Sequence, residues 1–499
     1  MTKNRTIELY LLDELYRECF HEKPALNVER KDVEQKDVDK YTKFIYDRVR
    51  EFYWTVARLI GLGHWHDGSL SNNRPSVDIP GENTKTSNKD VRRGLRLNLQ
   101  GDFPAPATNP RILIDITAIN RDNRGTGIQR VVQKVAEAAV RTGRGTPFFI
   151  EDGRIRPLHS AAGEFDEIEP CDGDVFVWID AGWNHSKEYQ TILDLASRKN
   201  CSHVLCIYDI LPILYPKAFA PTLVRDFEAW FKMMAPISDA VIAISKSVTD
   251  EFCEQAASAR IEAKHGVRVG WFHLGADFPS QEDTSATPQV QRICSSATPF
   301  FLAVGTIEPR KGYSIILAAF EKLWGCGVDV RCVIVGRTGW GSCALEERIR
   351  AHEEYGRRLH WLVDAKDCDL RSLYGAARSL IAASFAEGFG LPIIEASLQG
   401  CHVIASDIPV FREVGQDAIT YFKLLDPDHL AERIQESLQG NKKGLQLPIM
   451  SWEDACRRMF DMITLHAYQY EDRSAWPTEI PQMKPGTITS TRYARLLRS

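Results

Sequence analysis

Twice along this chain, short and almost wholly apolar segments alternate with helix-patterned ones. That repeated alternation limits the fold more than any other feature. The first run holds RILIDITAI (111–119), DVFVWID (174–180), HVLCIYDI (203–210), DAVIAIS (239–245) and VRVGWFHLG (267–275). The second holds FFLAVG (300–305), VRCVIVG (330–336), LHWLVD (359–364), SLIAAS (379–384), CHVIAS (401–406) and AITYF (418–422). Helical patterns lie between them, among them EAWFKMM, KSVTDEFCEQAA, YSIILAAFEKLWGCG and CALEERIRAHEEYG. Strands that are apolar on both faces belong in parallel sheets covered by helices on both sides. The expected fold class is α/β: two tandem Rossmann-like, doubly wound parallel-sheet domains facing a central cleft, with a helical N-terminal extension.

A chain of 499 residues exceeds what one core supports. The expected division is a helical extension and linker over 1–108, a first Rossmann-like domain over 109–280, a linker over 281–298, a second Rossmann-like domain over 299–470 and a tail over 471–499. The linker follows from the polar, Pro/Ser/Thr-rich stretch PSQEDTSATPQVQRICSSATP. WEDACRRMFDMITLHAYQYE reads as a long helix closing the second domain, and TRYARLLRS is a short basic end. In the extension, Tyr41, Ile45, Val49, Phe52, Val56 and Ile60 recur at steps of three and four, a helical face. Lys40, Lys43, Arg48, Arg50 and Arg58 around that face suit peripheral contact with an anionic membrane through 38–62. Asp39, Asp47 and Glu51 dilute the positive side and favour packing against protein instead.

Composition excludes several classes. The net charge is −5, and no basic face calls for nucleic acid. The twelve cysteines show no C-x-x-C pair and no spacing suited to zinc, and Cys206, Cys332 and Cys401 sit in apolar runs. No metal site is expected. The start MTKNRTIELYLLDELY carries acids inside its apolar run, unlike a signal peptide, and no stretch reaches the roughly 20 apolar residues of a membrane span. The expected location is cytoplasmic, with the inner face of the membrane as a peripheral site.

Ligands of doubly wound sheets bind beyond the carboxyl ends of the strands, and every chemically suggestive motif lies at such an end. In SFAEGFGLPIIEA (384–396), Glu387 opens a turn through Gly388, Phe389 and Gly390, Leu391 and Pro392 start a helix, and Glu395 follows near its first turn. Glycines let amides approach a ligand, and a helix start favours an anion such as a phosphate. Carboxylates accept from vicinal hydroxyls of a sugar. The competing reading makes Glu395 a complement to the helix dipole and Glu387 a solvated loop acid. AVGTIEPRKGY (303–313) ends a strand at Gly305 and Thr306 and then offers Arg310 and Lys311, a fork and a point charge suited to a diphosphate. VGRTGWGS (335–342) is a second Gly-rich turn that shapes a wall. In the first domain, NRGTGIQR (123–130) offers Gly125, Thr126 and Gly127 at a helix start, with Thr126 as its cap. It is not G-x-G-x-x-G, because Arg130 stands where the last glycine belongs, so a dinucleotide reading loses support. Asp209, after the strand in IYDILPILYP, either orients a sugar hydroxyl or caps a turn. His273 and His402 read as core residues.

Glu387 and Glu395 with seven residues between them, the VGTIEPRKG loop, the VGRTGW turn and SDIPVFREVGQDA (406–418) resemble the GT-B retaining glycosyltransferases of the large family-four group, most of all bacterial mannosyltransferases of O-antigen and exopolysaccharide assembly. RILIDITAINRDNRGTGIQRVV resembles that group's opening strand and loop, so the likeness spans roughly 110–470. The resemblance implies that Arg310 and Lys311 hold the donor diphosphate and that Glu387 grasps the sugar ring beside the reacting carbon. It implies that amides from Gly388 to Leu391 cradle sugar and phosphate, that Glu395 takes the ribose hydroxyls, and that the Gly125–Gly127 loop touches the diphosphate from the acceptor side. It also implies no divalent metal, no bound cofactor, and a nucleotide-sugar donor such as GDP-mannose. The acceptor would be a glycan or lipid-linked glycan, attacked on the donor's own face. One departure stands out: many relatives carry His just before the Asp of the IYDILP position, where this chain has Tyr208. The alternatives are a nucleotide-sugar epimerase or phosphorylase of the same fold, a non-catalytic GT-B scaffold subunit and, more remotely, an NAD oxidoreductase.

Overall fold

The structure, a computed structural model, describes Leu97, Gly444 and residues 110–123, 125–158, 167–258, 260–276, 285–440 and 447–471. All of them belong to one compact unit. The extension expected over 1–108, its amphipathic stretch 38–62 and the basic end lie outside the described residues, apart from Leu97.

The first lobe is built on β1 (Ile112–Asp115), β2 (Thr146–Glu151), β3 (Arg154–Pro157), β4 (Val175–Trp178), β5 (Ser202–Ile207), β6 (Ala240–Ala243) and β7 (Arg268–Trp271). Their order across the sheet is β3-β2-β1-β4-β5-β6-β7, and only β2 and β3 pair antiparallel. The second lobe holds β8 (Phe300–Val304), β9 (Arg331–Val335), β10 (Leu359–Leu362), β11 (Ser379–Ala382), β12 (Val403–Ser406) and β13 (Thr420–Phe422), ordered β10-β9-β8-β11-β12-β13 and parallel throughout. Both sheets reverse direction beside their first strand. The crevices that open at such reversals, after β1 and β4 and after β8 and β11, are where doubly wound sheets bind ligands. Ile112, Leu113, Ile114 and Asp115 are all buried, as are all five residues of β9, because helices cover both faces.

Five helices position the crevice: α1 (Gly127–Thr142), α2 (Lys246–Ala257), α3 (Leu391–Leu398), α4 (Pro409–Gly415) and α5 (Trp452–Leu465). The expected cap of α1 is present as a reciprocal box. The Thr126 hydroxyl accepts from the Gln129 amide at 3.3 Å, and the Thr126 amide donates to the Gln129 side chain at 3.1 Å.

Three local expectations are corrected, and one hairpin comes in addition. RILIDITAI does not run as a strand to residue 119. The Asp115 carboxylate accepts from the amide of Thr117 at 3.0 Å and turns the chain into a short helix, Thr117–Arg121. The β2–β3 hairpin, turned by Asp152 and Gly153 at φ of 53° and 72°, was not expected. The stretch expected as linker over 281–298 contains a helix, Pro288–Ser295, whose Val290 and Ile293 are buried, and Asp369 accepts from the amide of Thr287 ahead of it at 2.7 Å. Finally, α5 follows the second lobe in sequence but packs on α1 of the first. Arg144 meets Asp461 at 2.8 Å, and Tyr470 pairs with Val269 of β7 through backbone bonds of 2.8 and 2.9 Å. The two chain crossings between the lobes press together, since a Cβ on Gly275 would lie 2.4 Å from the Trp452 nitrogen.

Candidate functional site

After β8 the chain turns at Gly305 (φ 140°) and runs through a 3₁₀ turn, Pro309–Lys311, to Gly312 (φ 68°). A Cβ on Gly312 would stand 2.3 Å from the Ala383 carbonyl, so only glycine lets this turn lie against the end of β11. The Phe385 amide donates to the Arg310 carbonyl at 3.0 Å. The two loops of the β8/β11 crevice are thereby joined, and their charged side chains converge. Arg310 donates to Glu387 at 3.0 Å and Ser384 does so at 2.7 Å, while Lys311 pairs with the same carboxylate. Burial pushes the Glu387 carboxyl up, but Lys311 and Arg310 outweigh it and hold the group at about 2. Glu387 is therefore an ionised, fixed acid and not the solvated loop carboxylate of the competing reading. Lys311, Glu387, Tyr313, Ser384 and Phe411 line a small void at this point, about 30 Å³.

The first lobe reaches into the same place. Asp209 is half-buried, and desolvation raises its carboxyl against the opposing pull of Arg310, with Glu387 and Lys311 also acting on it. Its carboxylate accepts from the Leu211 amide at 3.0 Å. The turn cap and the cleft position are thus both true of one residue. Phe219 lies 5.9 Å under the Arg310 guanidinium, and Tyr215 meets Phe385 edge-on at 5.6 Å. Tyr208 points away: its hydroxyl donates to the Ile179 carbonyl at 2.8 Å inside the first lobe. The side chain at the position of that departure is therefore held within the first lobe.

The turn after Glu387 is where the lobes come closest. A Cβ on Gly388 would lie 2.1 Å from the Tyr208 carbonyl oxygen, and the Ser245 hydroxyl donates to the Gly388 carbonyl at 2.8 Å. Phe389 is buried in the apolar cluster shared by the two lobes, 5.6 Å from the His273 ring, so only its backbone is offered to a ligand. Gly390 (φ 102°) and Leu391 lead into α3, and Gly127 sits opposite, its Cβ position 3.8 Å from a Leu391 methyl. Gly125, Thr126 and Thr306 are exposed. Glu395 faces the first lobe. Its carboxylate accepts from Arg130 at 2.7 Å and from the Tyr374 hydroxyl at 3.0 Å.

The sequence reading did not single out the partners that join the lobes. Glu413, in α4, accepts from the Lys246 amide at 2.7 Å, the Ser247 amide at 2.8 Å, the Ser247 hydroxyl at 2.6 Å and His273 Nε2 at 2.7 Å. It occupies the start of α2 as an anionic ligand would. His273 is accordingly a bridge between lobes and not a core residue, whereas His402 is buried between Ser379 and Thr420 as expected. In the sequence Arg130 is notable only for standing where a dinucleotide motif has its last glycine. Glu413 lay within SDIPVFREVGQDA without a role.

Two lobes of this topology, with loops converging at the carboxyl ends of both sheets, define a GT-B glycosyltransferase fold. The same fold is found in the sucrose-phosphate synthase of Thermosynechococcus elongatus, which matches 72% of this chain and 99% of its own length at a TM-score of 0.51 and 18% identity. Residues 293–447 match the family described as glycosyl transferases group 1, and the second lobe carries that domain. In sequence the chain is similar to the serotype-specific mannosyltransferase WbdA of Escherichia coli, 33% identical over 350 residues, 66% of this chain. It is also similar to the O-antigen chain mannosyltransferase B of Escherichia coli, 31% identical over 206 residues, 39% of this chain and 52% of the relative. The chain spans 42% of the length of that WbdA.

Proposed function

We propose that this chain is a retaining hexosyltransferase that moves mannose from GDP-mannose to a glycan or lipid-linked glycan during surface polysaccharide synthesis. The observation that carries the reading is the meeting of Arg310, Lys311, Glu387 and Asp209 at the carboxyl ends of two facing sheets. Similarity to proteins named as O-antigen mannosyltransferases supports the choice of sugar and process. In this reading Arg310, Lys311 and the start of α3 take the charge of the leaving diphosphate, with Gly305, Thr306 and the Gly125–Gly127 loop against the phosphates. Glu387 and the amides from Gly388 to Leu391 hold the hexose, Asp209 orients a hydroxyl from the first lobe, and Glu395 takes the ribose diol. The acceptor oxygen bonds to the anomeric carbon on the face from which the diphosphate departs. The bond from that carbon to the phosphate oxygen breaks, and the leaving phosphate takes the acceptor's proton. Because side chains and a helix end supply the positive charge, the reaction needs no divalent metal.

The test is transfer from GDP-mannose to a mannan oligosaccharide, with and without EDTA, the product linkage read by NMR. The expected result is an α-linked product formed equally in both conditions. A β-linked product removes retention, loss of activity in EDTA removes metal independence, and transfer only from another nucleotide sugar removes the donor assignment.

A further inference from the structure

We infer that Arg130 is a built-in competitor for the nucleotide's ribose: its guanidinium occupies Glu395 when the site is empty and must leave when a nucleotide enters. The inference rests on the proposed donor site, in which Glu395 receives the ribose diol.

Glu395 has two kinds of partner. Tyr374 is fully buried in the same lobe and reaches Oε2 at 3.0 Å. It belongs to the wall on which the carboxylate is mounted. Arg130 comes from the other lobe, on the first turn of α1 just past its cap, and reaches Oε1 at 2.7 Å. The Glu395 side chain is 10% exposed and that of Arg130 is 30% exposed. With Tyr374 sealing the far side, access to Glu395 runs past Arg130. A diol needs the acceptor positions that face the opening, and those are the ones the guanidinium fills. The two occupants are mutually exclusive on Oε1, so whatever the ion pair contributes is subtracted from nucleotide affinity. The same exchange run backwards helps the spent nucleotide leave, since Arg130 returns to Glu395 as the ribose withdraws. Arg130 is thus a positioning residue that links the state of the first lobe to occupancy of the second.

The test is calorimetric titration of the full chain with GDP, comparing the unaltered protein with Arg130→Ala, Glu395→Ala and the double variant. Arg130→Gln serves as a second form that keeps the length of the side chain without its charge. Competition predicts that both Arg130 variants bind GDP more tightly, by roughly fivefold. It also predicts that Arg130→Ala changes nothing once Glu395 is alanine, because the two substitutions act through one contact. A bridge that only holds the lobes together gives the opposite sign, since its loss weakens binding. Weaker or unchanged GDP binding in both Arg130 variants, or the same gain in the Glu395→Ala background, would overturn the inference while leaving the donor site standing. Failure of the unaltered chain to bind GDP, UDP or ADP would remove the donor site itself, and the inference with it.

Discussion

Glu387 and Asp115 show how differently burial treats two acids in one chain. Glu387 faces two cations and stays charged, at about 2. Asp115, at the end of β1, makes no salt bridge among the described residues, and the charge of Arg121 reaches it only weakly. Burial, and then the charge of Asp180, push its carboxyl up to about 7, and burial pushes Asp180 up to about 6. Thr117 and Tyr189 donate to Asp115, and the amides of Ile119 and Ala181 donate to Asp180 at 2.7 Å each. A carboxyl raised in the folded state holds its proton more tightly there than in the unfolded chain. Its contribution is fully present below the unfolded value of about 3.8 and is lost as pH rises through about 7. The first lobe should therefore lose stability between about pH 4 and pH 7, measured as the urea midpoint, and Asp115→Asn should flatten that slope. A midpoint that rises over this interval, unchanged by the substitution, would contradict the assignment. At this scale the sequence revealed the acids and cations of one lobe, because Glu387, Glu395, Arg310 and Lys311 lie in short local motifs. It did not reveal that Arg130 and Glu395, 265 positions apart, share a hydrogen bond, since nothing local encodes which residue of the other lobe will face a given acid.

Between elements, the notable contact is that of α4 with the start of α2. Four donors from the first lobe converge on the Glu413 carboxylate, two of them backbone amides that a helix start leaves without partners. Burial pushes the Glu413 carboxyl up, but His273, Ser247 and the amides of Lys246 and Ser247 overturn that and keep it low. Glu413→Ala should lower the unfolding free energy by about 3 kcal/mol, read from urea unfolding, because it strips a half-buried charge-assisted cluster. A loss below about 0.5 kcal/mol would show that the clasp is a surface contact of little consequence. Strand periodicity was legible at this scale: all six segments expected as strands in the second lobe are strands. The β2–β3 hairpin was missed although Asp152-Gly153 between alternating segments is a strong hairpin signal. The placement of α5 could not be read, because its apolar face fits a neighbour in either lobe and its partner α1 lies some 300 residues earlier.

For the whole molecule, the two sheets are scaffolds that bring loops from distant parts of the chain to one crevice. Gly312 against Ala383 and Gly388 against Tyr208 mark where backbone must meet backbone for that to happen. The central claim is that this crevice holds a nucleoside diphosphate through Arg310 and Lys311. Calorimetric titration with GDP of the unaltered chain and of the Arg310→Ala, Lys311→Ala double variant tests it most directly, with folding of the variant confirmed by its unfolding melt. Two charge-assisted contacts predict a loss of affinity of at least roughly 100-fold in the double variant. Equal affinity in the two proteins would contradict the account.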